Sequence, residues 1–207
     1  MINNADDCLI IVDVQNDFCS GGALEVPAGE EVVPVINQLV DKFAHRILTQ
    51  DWHPVGHYSF ASAHPGKSPF ETVELDYGTQ VLWPDHCIQG SDGAEFHPDL
   101  EIVGAELIIR KGFRLSIDSY SAFTENDQMT PTGLSGYLAN RQFRRLFLTG
   151  LATDYCVFWS ALDARRAGFE VVLIEDACRA IDMDGSKFRA LDQMDAVGVV
   201  RVAATDL

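Results

Sequence analysis

Six apolar runs are spaced along the chain, and each is four to seven residues long and rich in branched side chains. The runs are Cys8–Val14, Arg46–Gln50, Leu107–Arg110, Leu146–Thr149, Val171–Ile174 and Val197–Val202. Near-continuous branched runs of this length are typical of strands that are buried on both faces, as in a parallel sheet. The pattern therefore predicts six strands of one mostly parallel sheet.

Segments with helical periodicity lie between several of these runs. The predicted helices are Glu30–Ala44, Thr132–Arg141, Asp154–Ala167 and Gly185–Met194. Pro34 lies inside the first segment, so we expect that helix to begin near Pro34 or to bend there. The alternation of strands and helices predicts a single α/β domain over residues 1–207, a three-layer α/β/α fold with a doubly wound, mostly parallel six-stranded sheet.

Residues 51–106 break this alternation. The stretch holds five of the eight prolines and five of the six histidines, and it has no strong periodicity. Irregular segments of this length in a compact domain are usually functional. We therefore expect this loop region to carry part of a binding site, and its histidines suggest a metal.

Composition and charge exclude several classes of partner. The chain has 15 Lys and Arg against 31 Asp and Glu, a formal net charge of −16, which argues against binding to nucleic acid or to an anionic membrane. The sequence has neither an apolar run long enough to span a bilayer nor a signal peptide, so we expect a cytoplasmic protein. Five irregularly spaced cysteines predict reduced thiols, and the oligomeric state stays open.

Residues whose side chains can take part in catalysis lie at or just after the ends of the first four runs. Asp13 lies near the end of the first run, Asp51 follows the second, Lys111 the third, and Cys156 comes shortly after the fourth. The carboxyl ends of parallel strands share one edge of the sheet, where ligands bind in open α/β folds. The sequence therefore predicts that carboxylates, a lysine and a thiol converge there.

Cys156 falls in the first turn of a predicted helix, for which Thr153 or Asp154 is the expected N-cap. The helix dipole at this position favours a thiolate, and the unpaired amides there can bind an oxyanion. The alternative is an inert buried cysteine, an interpretation that suits Cys8 and Cys178.

Asp13 and Lys111 are unusual in apolar strands because burying an unpaired charge is costly. They could form an ion pair that only fixes the sheet. Because a thiol is expected at a helix start nearby, a second interpretation is favoured. In it the carboxylate of Asp13 accepts the thiol proton and the ammonium of Lys111 stabilises the thiolate.

The loop region offers a set of metal ligands. Asp51 and His53 are two residues apart, and His86 can complete three protein ligands that leave positions open for water. We assign these three residues as the metal set and keep His57 either as an optional ligand or as a residue that packs the loop. One oxygen and two imidazoles suit zinc, iron or manganese, and we favour zinc.

Several blocks of the chain together match one known family. These blocks are Val12–Phe18, Asp51–Pro54, Trp83–Cys87, Arg110–Gly112, Asp118–Phe123 and Gly150–Val157. They run in the family's order and span about residues 8–180. The chain thus resembles the nicotinamidases and pyrazinamidases of the isochorismatase-like cysteine hydrolases.

The resemblance implies hydrolysis of nicotinamide, and also of pyrazinamide, to the acid and ammonia through a thioester, as part of NAD salvage. It implies a triad of Asp13, Lys111 and Cys156, and one divalent metal on Asp51, His53 and His86. It also implies an oxyanion hole from the N–H groups of Ala152 and Cys156, with a cis peptide before Ala152. The substrate-binding positions are Phe18, Trp83, Tyr120 and Tyr155, the last of which is His in some relatives.

Three other functions stay open from the residues. The first is another amide hydrolase of the same superfamily, acting on a ureido or carbamoyl substrate, for which the metal set has no evident use. The second is a metal-dependent hydrolase in which Cys156 is incidental. The third is a binding protein without activity, which the fold alone does not exclude.

Overall fold

The structure is a computed structural model, and it describes residues 2–3 and 5–207. Six strands form one sheet in the order β5-β2-β1-β6-β7-β8, and every neighbouring pair is parallel. These strands are β1 Asp7–Val12, β2 Arg46–Asp51, β5 Leu107–Lys111, β6 Arg145–Leu151, β7 Glu170–Arg179 and β8 Val200–Val202. A separate antiparallel hairpin joins β3 Thr72–Leu75 to β4 Gly78–Val81.

Helices cover both faces of the sheet. They are α1 Val32–Val40, α2 Leu134–Asn140, α3 Cys156–Arg166 and α4 Ser186–Ala196. Successive residues of β1 point to opposite faces, so Ile10 packs in the core with α2, α3 and α4, whereas Ile11 packs in the core with α1. Among the residues described, no helix has the length and apolar character needed to cross a membrane.

The predicted fold class is confirmed, with differences at the ends of elements. Strand β7 continues to Arg179 instead of ending at Ile174, and its pairing with β6 shifts register near Gly150. The last run begins pairing only at Val200, because α4 and a turn at Gly198 (φ +82°) occupy the residues before it. Helix α1 begins close to Pro34, as expected.

Gly150 allows strand β6 to pass very close to β1 just before the loop that leads to Cys156. A Cβ atom at Gly150 would lie 2.1 Å from the carbonyl oxygen of Val12, and the residue has φ +107°. Only glycine fits such an approach without displacing a strand. This contact brings the segment after β6 next to the residue that follows β1, Asp13.

Candidate active site

The side chain of Lys111 occupies the centre of the predicted edge of the sheet. Its Nζ lies 2.8 Å from Asp13 Oδ2, 2.6 Å from Asp51 Oδ1 and 3.3 Å from Cys156 Sγ. It also donates to the carbonyl oxygen of Ser119 at 2.9 Å. All four side chains, those of the lysine, the two aspartates and the cysteine, are buried, so the structure brings the predicted residues together away from solvent.

Asp13 follows β1 in a left-handed conformation with φ +46°. The hydroxyl of Thr49 on β2 donates to Asp13 Oδ1 at 2.5 Å and accepts the Asp13 N–H at 3.1 Å. Burial raises the pKa of Asp13, against the lowering effect of Lys111. A raised pKa makes this carboxylate a stronger base than one in water, which suits transfer of a proton from a thiol.

Lys111 keeps its positive charge although it is buried. Burial by itself lowers the pKa of a lysine, but Asp13 and Asp51 outweigh burial and hold the pKa of Lys111 well above its usual value. The ammonium therefore supplies fixed positive charge beside Cys156.

Cys156 is the first residue of α3. Burial raises the pKa of its thiol well above the ordinary value, with Lys111 opposing that rise and Asp13 adding to it. Loss of water therefore opposes the thiolate that the helix start favours, and Lys111 is the neighbouring group that supports it.

The expected N-cap is also different. Tyr155 caps α3, and its side chain makes no capping hydrogen bond. Asp154 instead accepts hydrogen bonds from the N–H groups of Ile181 at 3.1 Å and Asp182 at 2.8 Å, and from the hydroxyl of Ser186 at 2.5 Å. Asp154 thereby ties the loop before Cys156 to the segment that leads into α4.

Two residues that line the cavity beside the thiol have backbone amides without a protein acceptor among the described residues. The peptide bond between Leu151 and Ala152 is cis, as the resemblance implies. Within the residues that the structure describes, neither the N–H of Ala152 nor that of Cys156 donates a hydrogen bond. Both amides are therefore available to an oxygen atom of a ligand.

Three predicted metal ligands form one cluster. The carboxylate of Asp51 and the imidazoles of His53 and His86 each offer a ligand atom, and these atoms all lie within 4.8 Å of one another. Asp51 Oδ2 is 3.4 Å from His53 Nε2 and 3.7 Å from His86 Nε2. Burial alone would raise the pKa of Asp51, but Lys111 and His53 lower it, so its carboxylate stays charged.

Backbone carbonyl groups orient both imidazoles toward this cluster. His53 Nδ1 donates to the carbonyl oxygen of Gly112 at 2.9 Å, and His86 Nδ1 donates to that of Pro84 at 2.8 Å. Each Nε2 is then the nitrogen that can offer its lone pair to a metal, as in metal sites whose histidines donate from their other nitrogen. The donor set therefore fits one divalent metal ion.

His57 does not share this arrangement. Its Nδ1 accepts from the N–H of Ser59 at 3.2 Å and lies 2.7 Å from the Ser59 hydroxyl, and its Nε2 donates to the carbonyl oxygen of Ile117 at 3.3 Å. Its ring packs against that of His53 with the centroids 4.4 Å apart. Both nitrogens are thus used within the loop, which favours the packing role over the ligand role.

A narrow cavity opens beside Cys156 and the metal cluster. It is lined by Phe18, Leu24, Asp51, Trp83, His86, Asp118, Tyr120, Ala152, Tyr155, Cys156 and Ile181. The rings of Trp83 and Tyr155 meet edge to face at 4.8 Å, and Trp83 Nε1 donates to Tyr120 Oη at 3.1 Å. All four predicted substrate-binding aromatic residues therefore line one cavity.

Buried polar residues that support the site were not assigned from the sequence. Gln15 accepts the N–H of Asp51 at 2.8 Å and donates to its carbonyl oxygen at 2.9 Å. Asp118 is buried in the cavity wall, where it accepts from Gln80 at 2.9 Å and from the N–H of Ser119 at 2.8 Å. Gln15 and Asp118 are polar residues inside the matched blocks, and this position was the sequence signal that could have identified them.

Comparisons with known proteins agree with this geometry. The model of the isochorismatase domain matches residues 7–206. The nicotinamidase of Acinetobacter baylyi is 52% identical over 207 residues, which cover 100% of this chain and 97% of that protein.

Solved structures extend the likeness to three dimensions. The nicotinamidase/pyrazinamidase of Acinetobacter baumanii has a TM-score of 0.97 and 56% identity, covering 99% of both chains. The pyrazinamidase of Pyrococcus horikoshii, solved in complex with zinc, has a TM-score of 0.77 and 36% identity, covering 96% of this chain and 99% of that chain. The chain therefore belongs to the isochorismatase family, within its group of nicotinamidases and pyrazinamidases.

Proposed function

We propose that the protein hydrolyses nicotinamide to nicotinate and ammonia through a thioester on Cys156, and that it accepts pyrazinamide as well. The observation that carries this proposal is the buried contact of Lys111 with Asp13, Cys156 and Asp51, next to an aromatic cavity. The reaction belongs to the salvage of nicotinamide for NAD.

In the first half of the reaction, Cys156 attacks the carboxamide carbon. The thiol passes its proton to Asp13 as the sulfur–carbon bond forms, and Lys111 stabilises the sulfur as it gains negative charge. The N–H groups of Ala152 and Cys156 hold the resulting oxyanion. Asp13 then returns the proton to the leaving nitrogen, ammonia departs, and a thioester remains.

In the second half, water replaces ammonia. Asp13 accepts a proton from the water molecule as the oxygen attacks the thioester carbon, and the same two amides hold the second oxyanion. When this intermediate collapses, the carbon–sulfur bond breaks and the thiolate takes the proton from Asp13. The products are the carboxylic acid and the original thiol, so the enzyme needs no redox partner.

We propose zinc as the bound metal, held by Asp51, His53 and His86. The zinc complex of the pyrazinamidase of Pyrococcus horikoshii supports this choice. When bound, the ion supplies a positively charged site that orients the substrate through its pyridine nitrogen. Asp51 shares its carboxylate between this site and Lys111, and the backbone carbonyl groups of Gly112 and Pro84 keep the two imidazoles in place.

The cavity walls suit a flat heteroaromatic ring. Phe18, Trp83, Tyr120 and Tyr155 surround the space beside the thiol, and aromatic faces bind such rings with little loss of side-chain entropy. This lining favours an aromatic carboxamide over a ureido or carbamoyl substrate.

The test is to incubate the purified zinc-loaded protein with nicotinamide and to measure both nicotinate and ammonia. We expect equal amounts of the two products, and loss of both after treatment with a chelator. Benzamide, which lacks the ring nitrogen, should have a higher KM than nicotinamide. If a folded, zinc-loaded protein forms no nicotinate, the proposal is wrong.

A further inference from the structure

Gln80 reaches from the β3–β4 hairpin into the wall of the substrate cavity. The side chain is polar, yet it is only 1% exposed. Its Nε2 donates to Asp118 Oδ2 at 2.9 Å and to Tyr120 Oη at 2.8 Å, and lies 2.7 Å from the carbonyl oxygen of Val81. Asp118 and Tyr120 both line the cavity, whereas Gln80 itself does not.

The oxygen of the Gln80 side-chain amide also has two hydrogen-bond partners. Gln80 Oε1 accepts from Tyr77 Oη at 3.0 Å and from Asn126 Nδ2 at 3.1 Å. A carboxylate such as Asp118 can only accept and the Nδ2 of Asn126 can only donate, so these two neighbours determine which way the amide of Gln80 points. Neither a glutamate nor an apolar residue at this position could both donate to Asp118 and accept from Asn126.

Tyr120 is fixed by this network on two sides. Its Oη accepts from Gln80 and from the indole N–H of Trp83 at 3.1 Å, and its backbone N–H donates to Asn126 Oδ1 at 3.0 Å. The rings of Trp83 and Tyr120 stand edge to face, with an interplanar angle of 83° and centroids 6.2 Å apart. The position of this aromatic wall therefore depends on a residue outside the cavity.

We propose that Gln80 is a specificity-determining positioning residue, which fixes the width of the aromatic cavity through Tyr120 and Asp118. It thereby restricts the enzyme to flat heteroaromatic amides without bulky ring substituents. The inference rests on the proposed function, because it names the feature that selects among aromatic amides at the same site.

The test compares Gln80→Leu with a matched control, Gln193→Leu, which changes an exposed glutamine on α4. Nicotinamide and 5-methylnicotinamide serve as substrates. Losing the hydrogen bond from Gln80 to Tyr120 corresponds to about a tenfold change in substrate affinity. For Gln80→Leu we expect KM for nicotinamide to rise about tenfold, with kcat changed less than about threefold. The preference for nicotinamide over its methylated analogue should fall by a similar factor, and the control should match the unmodified protein.

Unchanged KM and unchanged preference in a folded Gln80→Leu variant would overturn the inference. If that variant does not fold, Tyr120→Phe removes the acceptor that Gln80 shares with the indole N–H of Trp83, and it leaves the hydrogen bonds of Gln80 to Asp118, Tyr77 and Asn126 in place. The preference for nicotinamide over 5-methylnicotinamide must then weaken in Tyr120→Phe, and an unaltered preference would also overturn the inference.

Failure of the proposed function gives a different result, because the unmodified protein would then not hydrolyse nicotinamide at all. In that case, quenching of tryptophan fluorescence by nicotinate and by 5-methylnicotinate reports binding without turnover. Gln80→Leu should then lack the preference of the unmodified protein for nicotinate over 5-methylnicotinate. An equal preference in the variant and the unmodified protein would refute the role of Gln80.

Discussion

Lys111 connects Cys156 to the cluster of Asp51, His53 and His86 through a single nitrogen atom. Its Nζ contacts Asp13 and Cys156 on one side and Asp51 on the other, and the second oxygen of Asp51 faces the two histidines. Two buried carboxylates would repel each other without this ammonium. At the scale of single residues, Lys111 therefore allows the thiol and the candidate metal ligands to share one small site.

Replacing Lys111 with methionine should make Cys156 harder to ionise. Loss of the ammonium removes the largest influence that lowers the thiol pKa, so alkylation of Cys156 by iodoacetamide should require a higher pH than in the unmodified protein. We also expect the free energy of unfolding to fall by about 3–5 kcal/mol, because carboxylates remain buried without their partner. Peptide mass spectrometry gives the extent of labelling at each pH.

Lys42→Met is the matched control, since Lys42 is exposed. It should leave both the labelling profile and the stability unchanged. If the labelling profile of Lys111→Met coincides with that of the control, Lys111 has no part in activating the thiol.

His53→Ala should remove most of the bound zinc and weaken substrate binding. The side chain supplies one of three protein ligands, and its ring is already oriented toward the other two. Elemental analysis of the purified variant measures the zinc content directly. His97→Ala, which changes a half-buried histidine outside the cluster, should keep its zinc, and equal zinc in both variants would refute the assignment.

The charged residues of the candidate site could be identified from the sequence, whereas the residues that support them could not. Asp13 and Lys111 stand out because charged residues are rare in buried strands. Thr49 and Gln80 act through hydrogen bonds to residues 36 and 40 positions away in the chain, and no local pattern signals such partners. The position of Cys156 at a helix start is visible in the sequence, whereas the burial that raises the pKa of its thiol is not.

At the scale of elements, the turn after β5 holds His53, a proposed metal ligand, in place. Gly112 follows Lys111 directly, has φ +65°, and would place a Cβ atom 2.4 Å from His53 Cε1. Its carbonyl oxygen accepts the hydrogen bond from His53 Nδ1. The strand end therefore positions Lys111 and the imidazole of His53 together.

Gly112→Ala should weaken zinc binding by about 10–100-fold, because the new methyl group displaces His53 and disturbs its support. Gly66→Ala is the control, since Gly66 also has positive φ but has open space where its Cβ would lie. Both variants should lose about 1–2 kcal/mol of stability from the strained backbone, and only Gly112→Ala should lose zinc affinity. Equal zinc affinities in a competition titration with a chelating dye would contradict this role for Gly112.

The order and type of the main elements followed from the hydrophobic pattern, but their ends did not. Val171–Ile174 marks only the apolar centre of β7, whose more polar end extends to Arg179 by pairing with β6. The β3–β4 hairpin was missed because its residues are largely exposed and their alternation is short. Tertiary pairing, which the local pattern does not contain, decides both cases.

At the scale of the whole molecule, the parallel sheet gathers one site from distant parts of the chain. Residues 13 and 156 meet because β1 and β6 are neighbours at the centre of the sheet, while residues 51 and 111 arrive on β2 and β5. Several charged groups are buried at this edge, and an added cation offsets their negative charge. We therefore expect the metal to stabilise the fold as well as the substrate complex.

Zinc should raise the melting temperature of the protein. A ligand that binds only the folded state stabilises it by about 2.7 kcal/mol at a hundredfold excess over Kd, which is roughly 5 to 10 °C for a chain of this size. Differential scanning fluorimetry of chelator-treated protein, with and without added zinc, measures the shift. The same addition should not change the melting temperature of His53→Ala, and an equal shift in that variant would place the zinc elsewhere.

The central claim is that Cys156 forms a covalent bond with the acyl group of nicotinamide. Acid quenching during turnover, followed by mass spectrometry of the intact protein and its peptides, tests it most directly. We predict a pyridine acyl adduct on the peptide that contains Cys156, no adduct in Cys156→Ala, and no turnover by that variant. Turnover by Cys156→Ala within about tenfold of the unmodified protein, a loss of less than about 1.4 kcal/mol of transition-state stabilisation, with no adduct on either protein, would contradict the thioester route.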